Sequence, residues 1–508
     1  MARYKHYNYS QRVLIPVSLE EQLMPGTLEF AIHTLVETRL DTSIFDSRHK
    51  NDETGCPAYD PKVLLKVVLL AYSRGIISSR RIEKACRENV IFMAISCKQC
   101  PDHSTIAGFV SSMRDEILPL FRDVLLVCEE MKLLGGTAFA LDGCKLPSNA
   151  STKWSGTFPD LKKKQEKIES KVRKLLQEQI QADRQDGGRE DALAPLADRD
   201  KQIEKLARHA ARIETFLKEN EPRIGTTGEV KSNITDNESA KMVTSHGTIQ
   251  GYNGQALVDS KHQVILHGEA FGSGQDHDHL PPILNGAKEN LKVLGQSEDY
   301  FKGKILTADT GYHSQTNLSR CEQEELDAFI PDRDFRKRDP RFVTRERHQP
   351  IQKRKFSLDD FRHEQGTDQY ICPGGKILRL QVKRWSDRGN IYRRYVAEAA
   401  DCQNCPLIGK CIRRKNAKRK CLTVPIGAEP TNLTKKMIEK IESERGQRIY
   451  PQRMAIVEPV FGNIRTQKRL DRFTLRGKLK VTIQWLFYCM VHNIEKIATC
   501  GFSLLATR

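Results

Sequence analysis

Gly303–His313 reads GKILTADTGYH. Ile305, Leu306 and Thr307 are aliphatic or β-branched, and glycine punctuates both ends, so the stretch predicts a buried strand finishing at Asp309. A carboxylate at the end of a buried strand is costly unless it is paired or binds a metal. The same grammar appears far upstream in Thr137–Gly143, TAFALDG, another apolar run that ends in an Asp142-Gly143 turn. An Asp-Gly after a strand is by itself only a turn signal. Two such strands, however, would bring Asp142 and Asp309 to one edge of a sheet and outline a divalent-metal site.

The 508 residues suffice for about two to four domains. Hydrophobic residues make up 38 % of the chain and mean hydropathy is −0.55, the balance of a water-soluble protein with material for a core. The apolar run Val481–Val491 is too short and interrupted for a bilayer, which needs about 20 residues. The N-terminus MARYKHYNYSQR lacks the apolar segment of a signal peptide. The expected location is therefore cytoplasmic, and the 14 cysteines are expected as thiols or metal ligands. A formal net charge of +18 favours a polyanionic partner, with nucleic acid first.

Residues 1–134 read as helical. Ser18 and Glu21 suggest a capping box ahead of LEFAIHTLV, and Asp60-Pro61 opens a helix closed by Gly75. A third helix runs from Asp102-His103-Ser104 through to Met131. The short helix Ser78–Glu88, with Arg80 and Arg81, suits a helix-turn-helix-like DNA reader, or a plain helical bundle. Ile203, Leu206, Ala210, Ile213 and Leu217 recur at heptad spacing, predicting a helical hairpin over 158–222. Strand patterns resume at 241–271, and 281–294 reads as a helix returning before the 304 strand. With the two acid-tipped strands, these make a mixed sheet of about five strands.

Residues 333–355 carry ten Lys or Arg and 410–420 seven more, candidates for tracking a DNA backbone. Between them, Cys372, Cys402, Cys405 and Cys411 could supply four thiolates to a structural Zn2+, a knuckle fixing a loop-rich insertion without a core. In Ile449–Leu470, Arg453, Val457, Glu458, Phe461, Ile464 and Arg465 fall near one helical face. Glu458 on that apolar stripe needs a partner, and Pro459 places it in a first helical turn. Asp259 reads instead as a solvent-facing hairpin turn, and Asp276 and Asp278 as a polar loop that needs no metal. A terminal helix over 474–499 covers the sheet.

Asp142 in LDGCKLPSNAS, Asp309 in TADTGYHS and Glu458 in RMAIVEPVFGNIR together resemble the DDE transposases of bacterial insertion sequences. NITDNESAKM (233–242), GYNGQALVD (251–259), the Cys-Pro motifs and LRGKLKV…HN (475–493) resemble one branch of that family, with a helical N-terminal domain and a cysteine-bearing insertion. The resemblance implies an RNase H-like α/β fold: a mixed sheet flanked by helices, with an all-α domain at 1–134. The catalytic domain would run over 135–332 with its hairpin insertion and resume at 441–508 with the glutamate, after a basic cysteine-containing insertion at 333–440. It implies two Mg2+ (or Mn2+ in their place) on Asp142, Asp309 and Glu458, and cleavage and transfer of element ends. The partners would be terminal inverted repeats and target DNA in the bacterial nucleoid, with the chain a homodimer on DNA and no membrane involved. Arg453 and Arg465 would contact phosphate, and Arg80 and Arg81 would bind DNA. Related members carry a tyrosine, an arginine, the glutamate and a lysine on one helix; here Tyr450, Arg453, Glu458 and Arg465 stand nearest, with one extra residue before Glu458. A metal-dependent nuclease without strand transfer, or a catalytically silent DNA-binding derivative, would share most of these features.

Overall fold

In the computed structural model the described residues are 18–48, 57–185, 193–225, 228–245, 247–344, 356, 358–387, 390–412, 417–426 and 433–500. The N-terminal MARYKHYNYSQR segment and the basic stretches 345–355 and 413–416 lie outside them. The chain divides into two compact units, one of Met1–Tyr312, Arg320–Phe329 and Arg448–Arg508, the other of His313–Ser319 and Ile330–Gln447.

The first unit is built on six strands: β1 (Ala138–Pro147), β2 (Ala240–Thr244), β3 (Gly247–Asp259), β4 (Ile265–Phe271), β5 (Ile305–Ala308) and β6 (Asp327–Phe329). Their order is β6-β5-β1-β3-β2, with β4 sharing the outer edge of β3. β1 runs antiparallel to β3 and parallel to β5, which is parallel to β6. The 304 strand is present as expected. The 137 strand departs from expectation: it does not stop at Asp142-Gly143 but pairs with β3 as far as Pro147. The Asp-Gly pair lies inside a strand because β3 supplies backbone partners beyond it.

Between β1 and β2 the chain forms two long helices, Phe158–Gln185 and Leu193–Glu219. Ala210 and Ile213 of the heptad seam are buried, Ile213 in a small core with Leu161, Phe216 and Ile234. The terminal helix Lys478–Cys500 is apolar nearly all round, the pattern of a helix in the middle of a core. Trp485 lies over Gly254 and Gly268, where a Cβ would meet its ring at 3.1 and 3.0 Å, and its Nε1 donates to the Gln255 carbonyl at 2.9 Å. Asn493 pairs through both amide atoms with the backbone of Ile265. On its other side Tyr488 stacks on Tyr72, ring centroids 4.9 Å apart. Each large apolar side chain so buried contributes about 1.5–3 kcal/mol.

Tyr72 belongs to α2 (Pro61–Ser73) of the helical N-terminal segment, which also holds α1 (Leu28–Thr38), α3 (Ser79–Glu88), α4 (Val90–Ile95), α5 (His103–Ser112) and α6 (Ile117–Glu130). Asp60 caps α2 as expected, accepting from the Lys62 amide. α1 is capped by Thr27, well beyond the expected Ser18 box, which turns only a short 3-10 segment. The long third helix is two, α5 and α6. Arg48 holds the break by donating to the Ser112 carbonyl and to Glu116.

The second unit contains a five-stranded antiparallel sheet, Arg362–Glu364, Gln369–Ile371, Ile377–Asp387, Asn390–Ala397 and Cys421–Pro425. Its core is Phe361, Tyr370, Leu378, Tyr395, Ala397 and Leu422. This corrects the expectation of a loop-rich insertion without a core. The arginines and lysines of ILRLQVKRW and NIYRRYVA are interspersed among the residues that build it.

Candidate active site

Leu141 of β1 pairs with Ala308 of β5, the last residue of that parallel ladder. Asp142 is the next residue of β1 and Asp309 the first residue past β5, so the register brings the two acids to the same end of the sheet, near enough for the Asp309 charge to act on Asp142. Asp142 Oδ1 accepts from the Gly143 amide at 2.8 Å, and Oδ2 from Arg453 Nη1 at 2.7 Å. Asp309 Oδ1 accepts from the Gly311 amide at 2.7 Å. Burial pushes the Asp142 carboxyl up to about 6, with the Asp309 charge adding to the rise; Arg453 and the Gly143 amide oppose it. Asp309 is raised too, by burial and by the charge of Asp276, against the Gly311 amide.

Glu458 is the seventh residue of the helix Gln452–Gly462, with Pro459 inside that helix and not at its start. Ile456, Val457, Val460 and Phe461 form the buried face, and Glu458 itself is exposed. The stripe is therefore narrower than expected, with Glu458 on its rim. Glu458 and Asp142 nevertheless line one cleft of about 680 Å³, with Arg465, Arg469 and Asp471. A second cleft of about 530 Å³ shares Asp142, Gly143, Arg465 and Asp471, and adds Lys145, Asp276 and Asp309. Asp142 stands between them.

The donors that face these clefts are carboxylate oxygens, which suit a hard cation such as Mg2+. Two adjacent acids, each raised by burial, are the electrostatic condition that a divalent cation would relieve. Among the described residues, no three His, Cys, Asp or Glu stand at metal-holding spacing, so the site lacks a preassembled triad. Both Asp142 oxygens already accept a hydrogen bond, and a cation there must share Oδ2 with Arg453 or displace it.

Arg465 is exposed on the wall of both clefts, and Arg80 and Arg81 are exposed at the start of α3. In the second unit Cys372, Cys402 and Cys411 pack against the small core, and Cys372 and Cys405 both flank Gly374, at 3.6 and 3.7 Å from its Cβ direction. These thiols gather without metal-holding spacing, so the geometry gives the expected Zn2+ no support. Part of the basic run there is neutralised locally: Arg338 pairs with Asp332 and Glu442, and Arg341 with Asp339.

One reading of the competing acids is corrected, and a second gains its partners. Asp259 is fully buried, not solvent-facing, and accepts from the amides of Gly135, Gly136 and Lys261. Asp276 lies beside Asp309, held through Oδ1 by Asn253 Nδ2 at 2.6 Å and Gln255 Nε2 at 2.8 Å. The signal for the latter was in the sequence: Asn253 and Gln255 alternate on one face of a fully buried strand, where amides need partners.

No described helix is long and apolar enough to cross a membrane. Residues 371–498 match the family described as Transposase DDE domain, and residues 17–112 the family described as Transposase domain (DUF772). No curated protein matches the chain. The two matches bracket β1 and β5 from both sides, the second containing Arg453 and Glu458, and together they support a DDE transposase of an insertion sequence.

Proposed function

We propose that the protein binds the ends of its insertion sequence and cleaves and transfers DNA strands at a divalent-cation site formed by Asp142, Asp309 and Glu458. The observation that carries the reading is the register that sets Asp142 beside Asp309, with Glu458 on the same cleft as Asp142. An RNase H-like core is supported by the strand succession β4-β3-β1-β5-β6, with an antiparallel hairpin on one side of β1 and parallel neighbours on the other.

When bound, a pair of divalent cations activates the attacking oxygen and stabilises the leaving one in an in-line displacement at phosphorus. The chain's residues supply the rest. Asp142 and Asp309 would hold the cations from the sheet edge, and Glu458, on the cleft that Asp142 lines, would add a carboxylate from its helix. Arg453 fixes the Asp142 carboxylate and opposes the rise that burial imposes on it, so in this arrangement it acts on Asp142 before any phosphate. Arg465 and Arg469, on the cleft wall, offer charge to a phosphate backbone. Water serves as the nucleophile in cleavage and the freed 3′-hydroxyl in transfer, on a homodimer assembled with two element ends.

Strand transfer separates this reading from a nuclease. Pre-cleaved element-end duplex, Mg2+ and a tagged circular target are expected to give covalent end-to-target products. Cleavage without such products would assign a nuclease, and binding without cleavage a silent derivative.

A further inference from the structure

We propose that an acid-free cleft next to the candidate active site holds the phosphate backbone of the element end, about six nucleotides from the cut, on Arg212, Arg472 and Arg476. This rests on the reading of the chain as an enzyme that cuts element-end DNA. The cleft, of about 570 Å³, shares Pro147 and Ile249 with the one that holds Asp142, Lys145 and Asp309, so the two meet along β1. Asp142 to Ser148 spans about 20 Å of extended chain at about 3.3 Å per residue. Successive phosphates on one strand of a duplex lie about 3.4 Å apart along its axis, which sets the spacing of about six nucleotides.

The local fold gathers these arginines. The Phe473 amide donates to the Pro147 carbonyl at 2.8 Å, which lays the segment RFTLR beside the end of β1. Phe473 is buried against Tyr252 and Trp485, while Arg472 and Arg476 are exposed. Each arginine is braced by a neutral acceptor. Arg472 Nη2 donates to the Ser148 carbonyl at 3.1 Å, and Arg476 Nε to the Asn149 carbonyl at 3.0 Å. Arg212 Nη2, from the helical hairpin, donates to Thr235 Oγ1 at 3.2 Å. Among the described residues none of the three makes an ion pair, and no acid lines the cleft. Arg338, Arg341 and Arg453, by contrast, each meet a carboxylate. A brace for a carbonyl would be served by a neutral donor. Three uncompensated guanidiniums in one cleft repel one another, and their remaining N–H groups suit phosphate oxygens. A second observation shows the field. His209 meets Trp154 of the cleft wall edge-on, and its imidazole is held below the ordinary value by burial and then by Lys205, Arg212, Arg208 and Lys164.

The test maps phosphate contacts of the full chain on a duplex carrying the element end, in chelator so that binding is read without cutting. Methylphosphonates, which neutralise one phosphate, are placed singly along both strands. Neutralising a phosphate about six nucleotides from the cut should weaken wild-type binding severalfold. That sensitivity should vanish in Arg472→Gln and Arg212→Gln, while sensitivity beside the cut persists. The slope of log affinity against log salt should fall by about one for each arginine removed, and Arg472→Lys should restore most of it. Thermal melting is the fold control, and Arg212→Gln, which disturbs no backbone contact, carries the test if Arg472→Gln does not fold. An unchanged slope and an unchanged methylphosphonate map in the folded variants overturn the phosphate site and leave cleavage at Asp142 and Asp309 standing. A defect confined to capture of target duplex overturns the assignment to the element end. Failure of wild type to cut any element-end duplex in Mg2+ overturns the reading beneath it.

Discussion

Arg453 Nη1 donates to Asp142 Oδ2 at 2.7 Å, joining residues 311 positions apart. This is the tie between the C-terminal helix that bears Glu458 and the strand that bears the first acid. Arg453→Gln is expected to lose about 1.5–3 kcal/mol of stability, the range for a hydrogen bond to a charged group. With the guanidinium gone, Asp142 should also rise further above its ordinary range. Thermal melts together with a pH profile of DNA cleavage check both: an unchanged profile would mean that Arg453 does not govern Asp142.

A pH dependence of stability follows from Asp142. Its carboxyl is raised from 3.8 to about 6 in the folded chain, which therefore holds that proton more tightly than the unfolded chain. The contribution to stability is complete below the unfolded value and is lost as pH rises through about 6. Asp309 shifts the same way. Cation-free protein should lose thermal stability over that window, and Mg2+ should restore more of it at about pH 8 than at about pH 5. Equal stabilisation by Mg2+ at both pH values would detach these carboxylates from the cation.

Asp259 tests whether an acid near the site is structural. Its carboxylate braces three amides at the entry to β1. Asp259→Asn leaves at least one of those donors poorly met and should cost about 1–3 kcal/mol. Below its melting temperature the variant should still cleave, and loss of cleavage with an unchanged melting temperature would put Asp259 in the chemistry.

Gly143 carries no functional group, yet its substitution should be severe. A Cβ there would lie 2.1 Å from Gln255 Nε2 and 2.7 Å from Asn253 Oδ1, so the amides that orient Asp276 would have to move. Gly143→Ala is expected to reduce both cleavage and melting temperature. Retained activity would show that Gln255 and Asn253 can give way without consequence.

The two acid-tipped strands were legible because a charge in an apolar run has few explanations. The helical hairpin was legible because its seam repeats. What the sequence hid depends on pairing partners. Asp142-Gly143 looks like a turn, and only the opposite strand, with Ala256 and Gln255 in register, keeps it extended. Glu458 was found for a reason the structure does not share, since its neighbours are buried and it is not. Asp276 reads as part of a polar loop, and the partners that fix it there, Asn253 and Gln255, lie on another strand. The second sheet is obscured in the sequence by its own basic residues, which are interspersed among its core residues.

The most direct test of the central claim is cleavage of a duplex carrying the inverted repeats that flank this reading frame, comparing wild type with Asp142→Asn and Glu458→Gln. Both substitutions keep shape and remove charge. Wild type should nick the element end in Mg2+ and not in chelator. Each variant should bind the duplex normally and cut at least about 100-fold more slowly, the consequence of losing several kcal/mol of transition-state stabilisation. Cutting by either variant at the wild-type rate would contradict the assignment of these acids to the chemistry.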